Sequence, residues 1–444
     1  MTELTRRIKW GFGIGDLGGN LFFTLIGFYL LFYLTDIAQL APALAGTVLM
    51  IGKIWDAITD PVTGFLSDRT RTRWGRRRPY MFIGSIIALA AMGLMFTAPG
   101  VENQTRLFIY FVFMYCLLNT AYTLVNIPYT AMLPELSSDF DQRTILVGYR
   151  MSFAVIGTFV GAGAVLPIVG AFESAEAGWS FMGYFAGFIM LATSFITIWA
   201  IREPIHTEVQ GDTGFFKTYA QALSNKIFLL ALIPWALFIL GTSMVQGSLL
   251  YYFKYIFNNE GMFQIALIFL LTTSLAFIPV WVKISQRIGK KWCYNIGMGI
   301  MTAGVLSFSL AGEAVGVWGA VVIMGLSGLG LSTHYVIPHS ILPDVVEHDS
   351  IHHGGVRREG VYASLWTFLS KIGQAVALAL NGWILALFNY TPDTALTRET
   401  ITGIKVICGP APAFFYIIGI FILAFYPISK EYYDRMIAGA REQT

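Results

Sequence analysis

Two aspartates stand within an apolar stretch, Ile54-Trp55-Asp56-Ala57-Ile58-Thr59-Asp60-Pro61, inside a hydrophobic run over residues 42–66. Asp56, Thr59, Asp60 and Thr63 are spaced i, i+3, i+4 and i+7, which puts them on one face of a helix. Two carboxylates and two hydroxyls supply hard oxygen donors, the kind a small alkali cation needs. A charged side chain at the centre of a bilayer costs about 3 kcal/mol or more, so acids there face a polar partner or serve a function. The spacing points to a site for Na⁺ or H⁺. Lys53, three residues before Asp56, offers a second reading in which it neutralises one acid as an internal salt bridge.

The elements that must position these acids follow from composition. Hydrophobic residues make up 56% of the 444-residue chain and charged residues 12%, with a mean hydropathy of +0.64. Such a chain is an integral membrane protein rather than a soluble domain. Runs of the ~20 apolar residues that a spanning helix needs fall at 10–34, 42–66, 80–98, 107–133, 145–171, 178–200, 227–253, 262–282, 292–312, 315–342, 361–388 and 404–427, which predicts twelve helices. Strand alternation with short turns is absent, so a transmembrane barrel is the poorer reading. The first run is too long for a signal-peptide core and reads as an uncleaved helix.

Lys and Arg fall on alternate sides of these runs. With both termini cytoplasmic the outer loops hold only Arg106, Lys254, Arg398 and Lys405, and the remaining loop cations lie inside. The net charge of +3 therefore belongs to cytoplasmic loops and predicts no nucleic-acid partner. Cys116, Cys293 and Cys408 have no metal-ligand spacing and are read as packing residues. A nucleophile with its base and orienting group cannot be assembled, so no enzyme activity and no cofactor is expected beyond a coupling ion.

Depth can be judged from the helical rise of about 1.5 Å per residue. Counted from their cytoplasmic helix ends, Asn20, Asp56, Thr123, Asn126 and Lys371 lie about 14–20 Å deep, near the centre of a hydrocarbon core of about 30 Å. Arg150 and Asp16 are shallower, at about 10 Å, and are expected to pair. His334 and His339, in the tenth run, are expected to line a polar interior.

The chain repeats itself at half its length. Ile127-Pro128-Tyr129-Thr130-Ala131-Met132-Leu133-Pro134-Glu135 in the fourth run matches Ile337-Pro338-His339-Ser340-Ile341-Leu342-Pro343-Asp344 in the tenth, and basic turns follow the second and eighth runs. Motifs recurring at runs 2 and 8, and at 4 and 10, imply two six-helix halves in parallel orientation, which resembles the major facilitator fold. The expected fold is thus an all-α membrane protein: an N-terminal bundle over 1–201, a cytoplasmic linker over 202–226 and a C-terminal bundle over 227–444. The basic turn Asp68-Arg69-Thr70-Arg71-Thr72-Arg73-Trp74-Gly75-Arg76-Arg77-Arg78 resembles the loop that superfamily uses between its second and third helices. A carboxylate and guanidiniums there can pair with neighbouring helix ends and lock one conformation, since Arg suits fixed bidentate pairing, which gives a gating reading for Asp68, Arg69, Arg73 and Arg76 beside the alternative that they are orientation charges alone.

Together with Asn126-Ile127-Pro128-Tyr129 and Arg150, the aspartate motif and the turn after it resemble the glycoside-pentoside-hexuronide:cation symporter family over essentially the whole chain. The resemblance implies cation binding at Asp56, Thr59, Asp60, Thr123 and Asn126. It implies substrate binding at Asn20, Asn126, Thr130, Arg150, Tyr335 and Lys371. A well-known member of that family has aspartates where this chain has Asn20 and Asn126, and tryptophans where it has Thr130 and Tyr335. An amide offers one acceptor and two donors in place of a carboxylate, so Arg150 and Lys371 would leave the interior relatively positive and suited to an anionic sugar. The implied activity is inward symport of a glycoside, pentoside or sugar acid with Na⁺ or H⁺, by a monomer in the plasma (inner) membrane. Two alternatives stand beside it: a Na⁺-dependent lysophospholipid carrier on the same fold, and a non-transporting membrane sensor.

Overall fold

Inside a bilayer every backbone N–H and C=O must be satisfied within the protein, which a helix does along its own length. The computed structural model describes residues 4–137, 140–201, 221–352, 359–392, 397–429, 431–433 and 435–436, and among them there is no strand. The helices are α1 (Arg6–Gly13), α2 (Gly15–Phe32, continued by a π-helical turn, Tyr33–Ile37), α3 (Pro42–Arg69), α4 (Arg78–Met95), α5 (Gln104–Leu136), α6 (Phe140–Gly170) and α7 (Ala175–Ala200). They continue as α8 (Lys226–Tyr251, with a π-helical turn at Tyr252–Ile256), α9 (Glu260–Ile288), α10 (Lys290–His352), α11 (Glu359–Leu387), α12 (Arg398–Cys408) and α13 (Pro410–Ala424).

Ten spans among the described residues are long and apolar enough to cross a membrane, against twelve expected. The difference has two physical causes. Lys290–Ile351 covers 62 residues, about 93 Å at 1.5 Å per residue, far more than one crossing needs. Its backbone leaves helical geometry at Gly316, with φ 74°, a conformation glycine takes at no steric cost. Pro42–Arg69 is 28 residues long, but Lys53, Asp56 and Asp60 lower its apolarity. Of the expected linker, residues 202–220 lie outside the described residues. Lys226 already opens α8, capped by the Asn225 side chain, which accepts from the backbone N–H of Ile227 and Phe228.

The chain clusters into two compact units, Met1–Gln210 with Leu378–Ala395 and Gly211–Ala377 with Leu396–Thr444. In the first, α3 packs along α5, α4 against α5 and α7, and α2 against α6 and α7. Phe12, Met81, Tyr129, Met132 and Leu146 form a buried cluster there. In the second, α9 packs along α10, and α13 lies against α8 and α10.

Two glycines let polar helices approach closely. A Cβ at Gly52 on α3 would lie 2.0 Å from the Tyr115 ring of α5, and one at Gly157 on α6 would lie 2.3 Å from the Leu17 carbonyl oxygen of α2. Small residues at such contacts are how membrane helices pack without a hydrophobic driving force.

Candidate functional site

Helix α3 is amphipathic in the reverse of the soluble sense. Ile54, Trp55, Ile58 and Val62 are exposed, while Lys53, Asp56 and Thr63 are buried on the other face. Thr59 and Asp60 are half-buried beside them. Trp55 is pinned by a hydrogen bond from its indole Nε1 to Thr120 Oγ1 of α5, 2.8 Å. The α3–α5 approach set by Gly52 brings Thr123 onto both acids: its Oγ1 is 3.2 Å from Asp56 Oδ1 and 3.0 Å from Asp60 Oδ1.

A hydroxyl carries one proton, so Thr123 donates to one carboxylate at a time. The other carboxylate oxygen then faces hydroxyl lone pairs at hydrogen-bond distance, an arrangement that a cation or proton between them relieves. Lys53 Nζ approaches the second oxygen of Asp56, Oδ2, at 3.8 Å. Thr59 Oγ1 is turned back onto the Asp56 carbonyl, 3.2 Å away. Asn126 sits on α5 nearly one turn beyond Thr123 and is half-buried.

The residues expected to hold substrate divide between the two units. In the first, Arg150 of α6 pairs with Asp16 of α2, with Nε 2.5 Å from Oδ2 and a second nitrogen 3.3 Å from Oδ1. The depth match predicted that pair. Its consequence for charge is direct: Arg150 is balanced by Asp16, so the positive excess that would favour an anionic sugar shrinks. Arg150 also lies 5.1 Å from the centroid of the Tyr129 ring, whose hydroxyl donates to the Phe12 carbonyl at 2.7 Å.

Asn20 donates its amide N–H to the Asp16 carbonyl one turn back, 2.9 Å. Thr130 bonds backward in the same way, to the Asn126 and Ile127 carbonyls at 3.0 Å. In the second unit Tyr335 is exposed on α10, and Lys371 is half-buried on α11. Beside Tyr335 the His334 ring is stacked between Trp235 and Phe238, each at 4.4 Å.

At the end of α3 the basic turn closes on the fourth-run motif. Arg76 and Arg77 both pair with Glu135, the latter at 2.9 Å, and Arg77 also reaches Asp68 at 3.3 Å. Arg69 lies over its own helix's Phe65 ring at 3.7 Å. Arg73 is exposed. The structure thus brings Asp68 and Arg76 into one ion-pair group with Arg77 and Glu135, and Arg69 and Arg73 are not among its members. In the second unit Lys290 Nζ meets Asp344 Oδ2 at 2.6 Å.

A family model described as MFS/sugar transport protein matches residues 11–430. The chain belongs to that family. It is 28% identical to a putative glycoside/cation symporter of Escherichia coli, covering 95% of this chain and 92% of the relative. It is 24% identical to a sodium-dependent lysophosphatidylcholine symporter of Danio rerio, covering 96% and 87%. The crystal structure of the nucleoside transporter NupG superposes with a TM-score of 0.66 at 16% identity, covering 94% of this chain and 97% of that one, which shows a shared fold.

Three residues of this multi-pass MFS protein were given no role in the motif reading. Arg77, 5% exposed, is the buried member of the turn, hidden in the sequence among five neighbouring arginines. Glu135 is its partner, marked only by its place in the internal repeat. Asp36 is a further buried acid, on the π-helical turn after α2, accepting from Thr35 at 2.7 Å and Tyr390 at 2.8 Å. Its position at the end of an apolar run gave no spacing signal.

Proposed function

We propose that this protein is a secondary active symporter that moves a glycoside, pentoside or sugar acid inward with Na⁺ or H⁺ by alternating access. The observation that carries the reading is the single Thr123 hydroxyl set between Asp56 and Asp60 on the buried face of a membrane helix. Two anionic oxygens around one shared donor form a place where binding of one cation is favourable, and where loss of the cation leaves an unfavourable pair. Such a site binds and releases, as coupling requires.

In this reading Asp56, Asp60 and Thr123 hold the ion, with Thr59 and Asn126 completing its oxygens. Asn20, Asn126, Thr130, Arg150, Tyr335 and Lys371 contact the sugar. The Asp68, Arg76, Arg77 and Glu135 ion pairs hold helix ends together in one conformational state and open in another. The protein works as a monomer in the inner membrane with both termini cytoplasmic. Membership of the MFS/sugar transport family and the similarity to the putative glycoside/cation symporter of Escherichia coli support a sugar cargo.

A second reading, a Na⁺-coupled lysophospholipid carrier, is favoured by the Danio rerio relative. Both are tested by one experiment on reconstituted protein: substrate-triggered charge movement for a panel of glycosides, sugar acids and lysolipids, with and without Na⁺, beside Asp60→Asn. A sugar current that needs Na⁺ or a proton gradient and vanishes in the variant is the expected result. A response to lysolipids alone establishes the second reading. Silence for the whole panel removes both.

A further inference from the structure

Three helix ends of the second unit come together at one membrane surface: α9 stops at Ile288, α10 starts at Lys290 and α13 stops at Ala424. Lys291 Nζ ties two of them by donating to the Ala424 carbonyl at 3.1 Å. A cavity of about 290 Å³ lies there, with Ser285, Gln286, Lys290, Asp344, Ser429 and Tyr433 in its walls. Lys290 Nζ gives one N–H to Asp344 Oδ2 at 2.6 Å and one to the Ser340 carbonyl at 2.8 Å, whereas an ammonium carries three. The carboxylate is thereby neutralised, and one donor of Lys290 is left for the cavity.

Charge around this cavity is one-sided. Lys283, Arg287, Lys290 and Lys291 stand within nine residues, and of these only Lys290 makes an ion pair among the described residues. Lys283 and Arg287 are exposed one turn apart on α9. Next to these cations Ile288, Trp292, Phe421 and Phe425 are exposed as well. The Lys291 ammonium stands 5.6 Å from the centroid of the Trp292 ring, and Phe421 and Phe425 meet edge to face at 5.3 Å. Exposed apolar side chains at the end of a spanning helix lie against lipid, and Trp favours headgroup level. A polar cavity and three unpaired cations beside an apolar edge fit a molecule with an anionic head and apolar tails.

We propose that the α9–α10 turn and the end of α13 bind one anionic phospholipid, with its phosphodiester head in the cavity and its chains along Trp292 and Phe425. Basic pockets between helices at a membrane surface hold such heads. The proposal uses none of the ion or sugar residues and stands whatever the cargo. Each Lys or Arg near an anionic surface strengthens binding about fivefold, so losing Lys283 and Arg287 together should weaken it about twenty-fivefold. Cations that serve only to orient the chain predict another result: attraction that is spread over the surface and indifferent to the cavity.

The test is native mass spectrometry of the purified protein titrated in detergent with phosphatidylglycerol or phosphatidylcholine. The variants are Lys283→Gln with Arg287→Gln, Lys283→Arg with Arg287→Lys, and Ser285→Leu, which fills the cavity without changing charge. The parent is expected to retain one phosphatidylglycerol at least about tenfold more tightly than phosphatidylcholine. The glutamine pair should lose that preference, the swapped pair should keep it, and Ser285→Leu should lose it with every cation in place. A parent without the preference overturns the proposal whether or not the variants fold, and so does a glutamine pair with parental affinity. Parental affinity in Ser285→Leu leaves only diffuse attraction and overturns the cavity site. Displacement of phosphatidylglycerol by equimolar inorganic phosphate would make the cavity a free-phosphate site and overturn the lipid occupant.

Discussion

At Thr123 one methylated hydroxyl decides how two acids on a neighbouring helix share a charge. Hydrogen bonds to charged groups are worth about 1.5–3 kcal/mol, so replacing Thr123 by Val, which keeps the shape and deletes the hydroxyl, should raise the Na⁺ concentration for half-maximal transport about ten- to a hundredfold. Thr123→Ser, which keeps the hydroxyl, should stay within a few-fold of the parent. A Val variant with the parental Na⁺ curve would remove Thr123 from the ion site. The acids themselves were legible from spacing and apolarity, and the Asp16–Arg150 pair from depth. The direction of the Thr59 and Thr130 hydroxyls was not. A hydroxyl in an apolar helix can satisfy itself on a carbonyl three or four residues back, and residue spacing does not show which partner wins.

Helices set the distances these residues need, and α3 against α5 is the decisive contact. Thr123 reaches both acids because Gly52 has no side chain where the Tyr115 ring passes, 2.0 Å from the missing Cβ. Gly52→Ala forces the two helices apart or the ring aside, which should lower the thermal midpoint by several degrees, since overpacking costs about 1–3 kcal/mol, and weaken Na⁺ dependence with it. Adding Tyr115→Leu should return part of both, because the shorter side chain vacates the space. Failure of the second change to recover either quantity would show that the glycine serves another contact. The sequence offered Gly52 as one small residue among 45 glycines. Its partner across the interface could not be read without the helix pairing, whereas the helices themselves were legible from apolar length alone.

The two halves of the molecule repeat a device as well as a motif. In the first unit the acid that closes the Ile-Pro segment, Glu135, meets Arg76 and Arg77 of the basic turn after α3. In the second the corresponding acid, Asp344, meets Lys290 of the turn after α9. The recurrence of one acid–cation pairing in both halves is what a duplicated unit inserted in the same sense produces, since each basic turn then follows two crossings of its own half and six crossings separate the two turns. Parallel repeats place the two turns on one side of the membrane, and inverted repeats place them on opposite sides. A cysteine introduced at Arg73 and another at Arg287, each in a background with Cys116, Cys293 and Cys408 replaced, should therefore react with an impermeant maleimide in inside-out vesicles only. Reaction of the two from opposite faces would make the halves inverted, and reaction of both from outside would reverse the orientation that the loop cations predict. The measurement is sensitive because a single missed or added crossing between residues 73 and 287 moves one label to the other face. It therefore tests whether the charged α3 crosses before residue 73, as the sequence runs require, and because the 62-residue span of α10 begins after residue 287 the result isolates the first eight runs from the interrupted helix that follows them.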